Sequence, residues 1–407
     1  MSGPSDDART ARQRVLADAS PVTRLIHPAP APAGFASLST PIHHASTVLF
    51  KSVLDHETRD GFDETRYNYG LSHTPTTLAL SRAVADWEGG YNALLTPSGL
   101  AAVSLAMLSC LSAGDHVLIP DNAYIPAKIL AKGLLGRMGI THTLYDPLIG
   151  AGIASLMTPK TRLVWVETPG SITMEVADLP AIAQVAHAHG AQVAVDNTWS
   201  SGSLLRVFDK GADLSVQALT KYHGGHGDLL MGAVVTADHA GWHRVRDTSH
   251  EVGFGVGADD AFLVLRGMQT MALRLRHVGE VALSIATWLA GRPEIQRVLH
   301  PSLPSCPGHD TWKRDFTGSS GLFSVVFDPR YDDAAIARFV DALQLFGIGA
   351  SWGGTASLAL VYRAMRGKVS GVDGEPGGHI VRLNIGLEDE TDLRCDLLRG
   401  MSALQGA

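Results

Sequence analysis

The sequence predicts an α/β protein, a mostly parallel sheet with helices on both faces, followed by a smaller α+β unit. Three observations predict it. Between residues 88 and 235, short apolar runs alternate with longer helical patterns, the rhythm of parallel strands joined by crossover helices. From 259 to 290 there is one long helical pattern, rich in arginine, broken by Gly291-Arg292-Pro293. Beyond it, segments 322–327, the surroundings of Val361, and 380–385 read as strands of a separate unit. The expected organisation is an N-terminal arm over 1–60, a large α/β domain over 61–260 and a C-terminal α+β domain over 261–407.

Taken in order, residues 2–25 are polar and of mixed charge, and Pro28-Ala29-Pro30-Ala31-Pro32 is a stiff, extended spacer. Order is therefore expected from about Leu38. The runs 93–96, 116–119, 163–167, 192–195 and 214–217 have strand length and are mostly apolar, as strands buried on both faces must be. Segments 99–111, 125–135 and 179–189 carry helical patterns. The weakly polar stretch 99–113 is interrupted by Ser104, Ser109 and Ser112 and falls short of the ~20 residues that a membrane span requires, so it reads as a buried helix. No repeat of solenoid or propeller length is visible.

Composition narrows the function. Forty acidic against 33 basic residues give a net charge of −7, which leaves no basic surplus for a nucleic-acid backbone or an anionic membrane. Neither is expected as a partner. Cys110, Cys306 and Cys395 are widely spaced and form neither a disulfide framework nor a Cys-x-x-Cys zinc motif. With no basic and apolar leader at the start, a cytoplasmic location is the expectation.

In sheets of this kind ligands gather at the carboxyl ends of strands. The run 192–195 ends in Asp196-Asn197-Thr198, and twenty-five residues later a second strand-like run ends in Thr220-Lys221-Tyr222. Opposite charges at neighbouring strand ends over an apolar sheet are expensive unless something pairs with them. Pyridoxal phosphate is such a partner: it needs a lysine for covalent attachment and a carboxylate to hold its pyridine nitrogen protonated. Thr96-Pro97-Ser98-Gly99 opens a helix with small residues and free N–H groups, an anion site of the kind a phosphate uses, and Thr220 adds a hydroxyl. Tyr124 follows the 116–119 strand closely enough to lie over a ring. Each residue read alone has a plainer role: Lys221 on the surface, Asp196 or Ser98 as a helix cap, Tyr124 in a core, Arg382 in a salt bridge, Trp352 in packing. His223 and His226 have no evident third ligand, so no metal is expected, and Gly253-Phe254-Gly255-Val256-Gly257 follows no clear strand and lacks dinucleotide-fingerprint spacing.

The chain resembles the cysteine and methionine metabolism group of pyridoxal-phosphate enzymes, of aspartate-aminotransferase-like fold (fold type I). The matches include Trp87-Glu88-Gly89-Gly90, Glu167-Thr168-Pro169-Gly170-Ser171-Ile172-Thr173-Met174-Glu175, Val195-Asp196-Asn197-Thr198-Trp199 and Gln217-Ala218-Leu219-Thr220-Lys221-Tyr222. Phe316-Thr317-Gly318-Ser319-Ser320-Gly321, Ser351-Trp352-Gly353-Gly354 and Arg382-Leu383-Asn384-Ile385-Gly386 continue them.

The resemblance implies that Lys221 carries the cofactor, Asp196 meets the pyridine nitrogen, Tyr124 stacks on the ring, and Ser98, Gly99, Leu100 and Thr220 hold the phosphate. It implies that Arg382 binds the substrate carboxylate, that Ser351 and Trp352 line the substrate side, and that Tyr69 reaches a neighbouring subunit's cofactor in a homotetramer built as a dimer of dimers. With Lys221, Tyr124 and Tyr69 as the catalytic set, it implies β-elimination from a sulfur amino acid of the trans-sulfuration reactions, L-cystathionine leading, to give homocysteine, pyruvate and ammonia. The alternatives are a γ-lyase or γ-replacement enzyme of the same family and a broad cysteine or cystine lyase. One departure stands out: where the family usually has an arginine two residues after the tyrosine, this chain has Leu71, with His73 or Arg66 as candidate substitutes.

Overall fold

The computed structural model describes residues 18–27, 37–59, 67–363 and 379–405. The expected spacer at 28–32 and Arg66 lie outside them. Seven strands form the larger sheet: β1 (Asn92–Thr96), β2 (His116–Pro120), β3 (Thr141–Tyr145), β4 (Thr161–Glu167), β5 (Gln192–Asp196), β6 (Leu214–Gln217) and β7 (Gly232–Thr236). Their spatial order is β1-β7-β6-β5-β4-β2-β3. The pairs β2/β3, β2/β4, β4/β5 and β5/β6 are parallel, and β7 runs antiparallel to both of its neighbours.

β4 shows why these runs are largely apolar. Leu163 and Trp165 pack into a cluster with the helix Gly99–Cys110, whereas Val164 and Val166 pack into one on the opposite face with the helix Leu179–Ala188. Both faces are covered, so neither side of the strand tolerates alternation with polar residues. The helix Pro75–Glu88 starts at a capping box between Thr74 and Thr77 and stops at Gly89, whose φ of 75° places it in the left-handed region.

The smaller sheet holds β8 (Ile295–Leu299), β9 (Leu322–Phe327), β10 (Gly347–Ile348), β11 (Leu358–Tyr362) and β12 (Ile380–Asn384), in the order β10-β11-β12-β9-β8. Only β10/β11 is parallel. The helix Ala258–Ala290, 33 residues and about 50 Å long at 1.5 Å per residue, packs its first half on the core under β1 and β7 and its second half on the smaller sheet.

Three expectations are corrected. Order does not wait for Leu38: Pro21–Ile26 is a helix capped by Ser20, docked through an ion pair between Arg24 and Asp86 at 2.6 Å. The helical pattern over 125–135 is two pieces, an α-helix Ile125–Leu130 and a π turn Ala131–Leu135. The second strand of the charge pair ends at Gln217, and Thr220 and Lys221 stand in the turn after it. Among the described residues, no helix is long and apolar enough to cross a membrane.

Candidate active site

At the carboxyl edge of the larger sheet, where the chain leaves β1, β2, β4, β5 and β6, a cavity of about 420 Å³ opens toward the smaller sheet. Asp196, the last residue of β5, and Glu167, the last of β4, are partners in the strand register and both line it. Asp196 Oδ1 accepts from the Thr198 amide at 3.1 Å and from Thr198 Oγ1 at 2.6 Å. No helix starts there, so the capping reading of this aspartate is not what the structure realises. Burial raises the Asp196 carboxyl, against the Thr198 bonds and the nearby Lys221 charge. Burial and the Asp196 charge hold Glu167 well above the usual carboxylate range.

Lys221 approaches from the turn after β6. Its Nζ donates to Ser351 Oγ at 2.7 Å and stands 5.2 Å from the centre of the Trp352 ring, so residues of both sheets meet at the amine. Gly353, at φ 80°, lets that loop lie against the Lys221 backbone: a Cβ there would come within 3.2 Å of Lys221 Cα. Burial, and then the Arg382 cation, lowers the Lys221 amine to about 8 from its ordinary 10.5, with Asp196 opposing.

Arg382, in the middle of β12, is only 6 % exposed yet lines the same cavity. It donates to the carbonyls of Ala350 (3.1 Å) and Ser171 (3.4 Å) and lies 5.1 Å from the Tyr362 ring centre. Among the described residues it makes no ion pair with a carboxylate, so the salt-bridge reading fails and its charge is available to an anion in the cavity.

Ser98 does cap the helix Gly99–Cys110, accepting from the Ala101 amide at 3.1 Å, and it also lines the cavity with Gly99 and Leu100. Gly99 must be small, since a Cβ would sit 2.7 Å from Ala218 Cβ. Thr220 lines the cavity, and its Oγ1 exchanges hydrogen bonds with the Met231 backbone, 3.0 and 3.2 Å. Tyr124 is half-exposed at the cavity mouth, and its amide donates to Glu167 Oε2 at 2.6 Å.

Tyr69 is the predicted residue that the structure leaves elsewhere: it is 49 % exposed, away from this cavity, and takes a hydrogen bond from Ser46 at 3.2 Å. Leu71 lines a separate small cavity and packs toward Gly255.

Two residues at the site were missed from sequence. Glu167 ends an expected strand, and the strand-end rule that found Asp196 would have found it too. Arg274, on the long helix Ala258–Ala290, donates to the carbonyls of Tyr222 (2.9 Å) and Gly267 (2.7 Å), and so pins the segment just after Lys221.

A lysine, an aspartate, a small-residue helix N-terminus and an arginine with no carboxylate partner among the described residues all line one cavity, a donor set that fits pyridoxal phosphate. The family model for "Cys/Met metabolism PLP-dependent enzyme" matches residues 22–402. The chain belongs to that family. Its cofactor is pyridoxal phosphate. Cystathionine beta-lyase MetC of Escherichia coli (strain K12) is 40 % identical over 90 % of this chain and 94 % of its own length. Cystathionine beta-lyase of Bordetella avium is 43 % identical over 90 % of this chain and 93 % of its own. Among solved structures, metB from Corynebacterium glutamicum superposes with a TM-score of 0.86 at 29 % identity, covering 96 % of this chain and 99 % of that one. The fold of this family member is accordingly that of the pyridoxal-phosphate enzymes of fold type I.

Proposed function

We propose that the chain is a cytoplasmic carbon–sulfur β-lyase that, with one water, splits L-cystathionine into homocysteine, pyruvate and ammonia. The observation that carries the reading is the meeting of Asp196, Lys221 and Arg382 around one cavity. The similarity to cystathionine beta-lyases over nine-tenths of the chain directs it to this substrate.

Pyridoxal phosphate, when bound, supplies an electron-accepting ring that stabilises negative charge at the substrate's Cα. With the cofactor bound, Asp196 would hold a proton on the ring nitrogen and so keep the ring electron-poor. Ser98, Gly99, Leu100 and Thr220 would receive the phosphate at the helix N-terminus, where free N–H groups and the helix dipole favour an anion. Tyr124, at the cavity mouth, would pack against the ring. Arg382 orients the substrate by its α-carboxylate, with Ser351 and Trp352 closing the substrate side.

Lys221 Nζ takes the Cα proton. Its pKa of about 8 leaves a useful neutral fraction near neutral pH, and the Ser351 hydroxyl steers the amine. The leaving thiolate takes a proton from Lys221 Nζ or from Tyr69 of a neighbouring copy. That last role belongs to a homotetramer built as a dimer of dimers; exposed apolar side chains at Leu49, Val53 and Leu54, in the segment that pairs with Tyr69, support such an assembly.

The test is product analysis with L-cystathionine and pyridoxal phosphate. Pyruvate with homocysteine, abolished in Lys221→Ala, is the expected result. 2-Oxobutyrate with cysteine would replace β- by γ-elimination, and keto acid formed as readily by Lys221→Ala would refute the assignment of the base.

A further inference from the structure

One buried carboxyl group near the site is unused by the chemistry above. Glu88 ends the helix Pro75–Glu88 beneath the larger sheet, 1 % exposed, and its carboxylate is filled by neutral donors. Oε2 accepts from Asn197 Nδ2 at 3.1 Å and from Ser215 Oγ at 2.7 Å, and Oε1 accepts from Gln217 Nε2. Nothing about helix or core stability calls for an acid here. A buried carboxylate costs several kcal/mol of desolvation, and an apolar side chain of similar volume usually serves packing as well. Burial raises the group to about 7, against these three bonds and the nearby Arg206.

What the donors have in common is position. Asn197 directly follows Asp196, and Gln217 ends β6, four residues before Lys221. The bonds continue from there. Gln217 Nε2 also donates to the Asn197 carbonyl at 2.9 Å, and the Asn197 amide donates to the Val216 carbonyl at 3.0 Å. The Ala218 amide donates to Thr198 Oγ1 at 3.0 Å, and Thr198 in turn donates to Asp196. Two strand ends are thereby tied at one point behind the cavity. The tie is tight: a Cβ on Gly202 would lie 2.0 Å from Glu88 Oε1, and Trp87 Nε1 donates to the Ser201 carbonyl at 2.5 Å.

We infer that Glu88 is a positioning residue for the cofactor, clamping through Asn197 and Gln217 the two strand ends that carry Asp196 and Lys221. The inference rests on the cofactor reading and not on the choice of substrate. A carboxylate can accept from all three donors at once, whereas the amide of Glu88→Gln must turn an NH2 toward one of them and leave it unpaired.

The test compares wild-type and Glu88→Gln holoenzyme in two measurements that need no amino-acid substrate: cofactor release on dialysis, and the pH midpoint of the bound cofactor's visible absorption band. Misplacing Asp196 and Lys221 should weaken retention about tenfold and move the midpoint by about half a pH unit or more. A lower melting temperature with retention and midpoint both unchanged would overturn the inference, because a merely structural residue would do only that. Where Glu88→Gln does not fold, Ser215→Ala removes one donor and should move both readouts in the same directions by a smaller amount. An unmoved midpoint and unchanged retention in that variant would refute the clamp. A failure of cystathionine cleavage with both shifts present would count against the substrate and leave the clamp standing.

Discussion

Neutral amine is the quantity that Lys221 must supply, and the structure sets how much of it there is. Burial, then Arg382, brings the group to about 8. At pH 7.5 such an amine is about 24 % neutral, whereas a lysine at 10.5 is about 0.1 % neutral, a ratio of ~240. The rate at which the cofactor-free protein captures pyridoxal phosphate should follow that fraction. Measured by stopped-flow absorbance between about pH 6.5 and about pH 10, the logarithm of the rate should climb with unit slope and flatten near pH 8. Arg382→Met removes the cation that helps to lower the amine, so the break should move to higher pH, by less than the whole shift because burial is the larger cause. A unit slope continuing to pH 10 in the wild-type protein would refute the argument, as would a break that Arg382→Met leaves in place. The sign for stability follows from the same displacement. The folded protein's Lys221 titrates below the unfolded chain's, so between about 8 and 10.5 the unfolded state binds more protons, and this residue's contribution to stability grows as pH rises through that window.

Arg382→Leu should raise the KM for L-cystathionine about 30-fold or more, the worth of a hydrogen bond to a charged group, with the bound cofactor's absorption unchanged; an unaltered KM in a kinetic titration would remove the arginine from carboxylate binding. Gly99→Val puts carbon where Ala218 already leaves 2.7 Å, and should weaken cofactor retention about tenfold or more while far-ultraviolet circular dichroism stays native; full retention would detach the phosphate from this helix end. Leu71→Arg supplies the cation that the family resemblance leads one to expect there and should slow cofactor loss on dialysis about tenfold or more, and equal loss would show that the leucine is no handicap.

The parallel core was legible because covering both faces of a sheet demands apolar residues without alternation, and 163–166 and 193–195 have nothing else. β3 was not legible: Thr-His-Thr-Leu-Tyr is an edge strand, largely exposed, and its pattern is that of a loop. The helix Pro21–Ile26 buries none of its residues fully and depends on Asp86, 62 positions away from Arg24. At the site, Asp196 and Lys221 could be read because each follows an apolar run with an unpaired charge, and Arg382 because it interrupts one. Glu88 stands in the matched run Trp87-Glu88-Gly89-Gly90, but its role could not be read, since its partners stand 109 to 129 residues along the chain. Tyr69 was read from resemblance, and within a single chain its side chain meets Ser46 rather than the cavity.

β1 has one neighbour in its sheet, and that neighbour is β7. The ribosome delivers Thr96 long before Gly232; at ~5–20 residues per second, the interval for some 140 residues is roughly 7–28 seconds. Throughout that time the first strand of the sheet is an unpaired edge, a template for any other strand in reach. The loop that follows it is unfinished as well, because Ser98 lies against Gly232 so closely that a Cβ on the glycine would come within 2.4 Å of the Ser98 carbonyl oxygen. During synthesis the phosphate cradle is thus completed after Asp196 and Lys221 have left the ribosome. Until β7 pairs with β1 the phosphate end of the cavity is incomplete, which makes cofactor capture a late event in the birth of this protein.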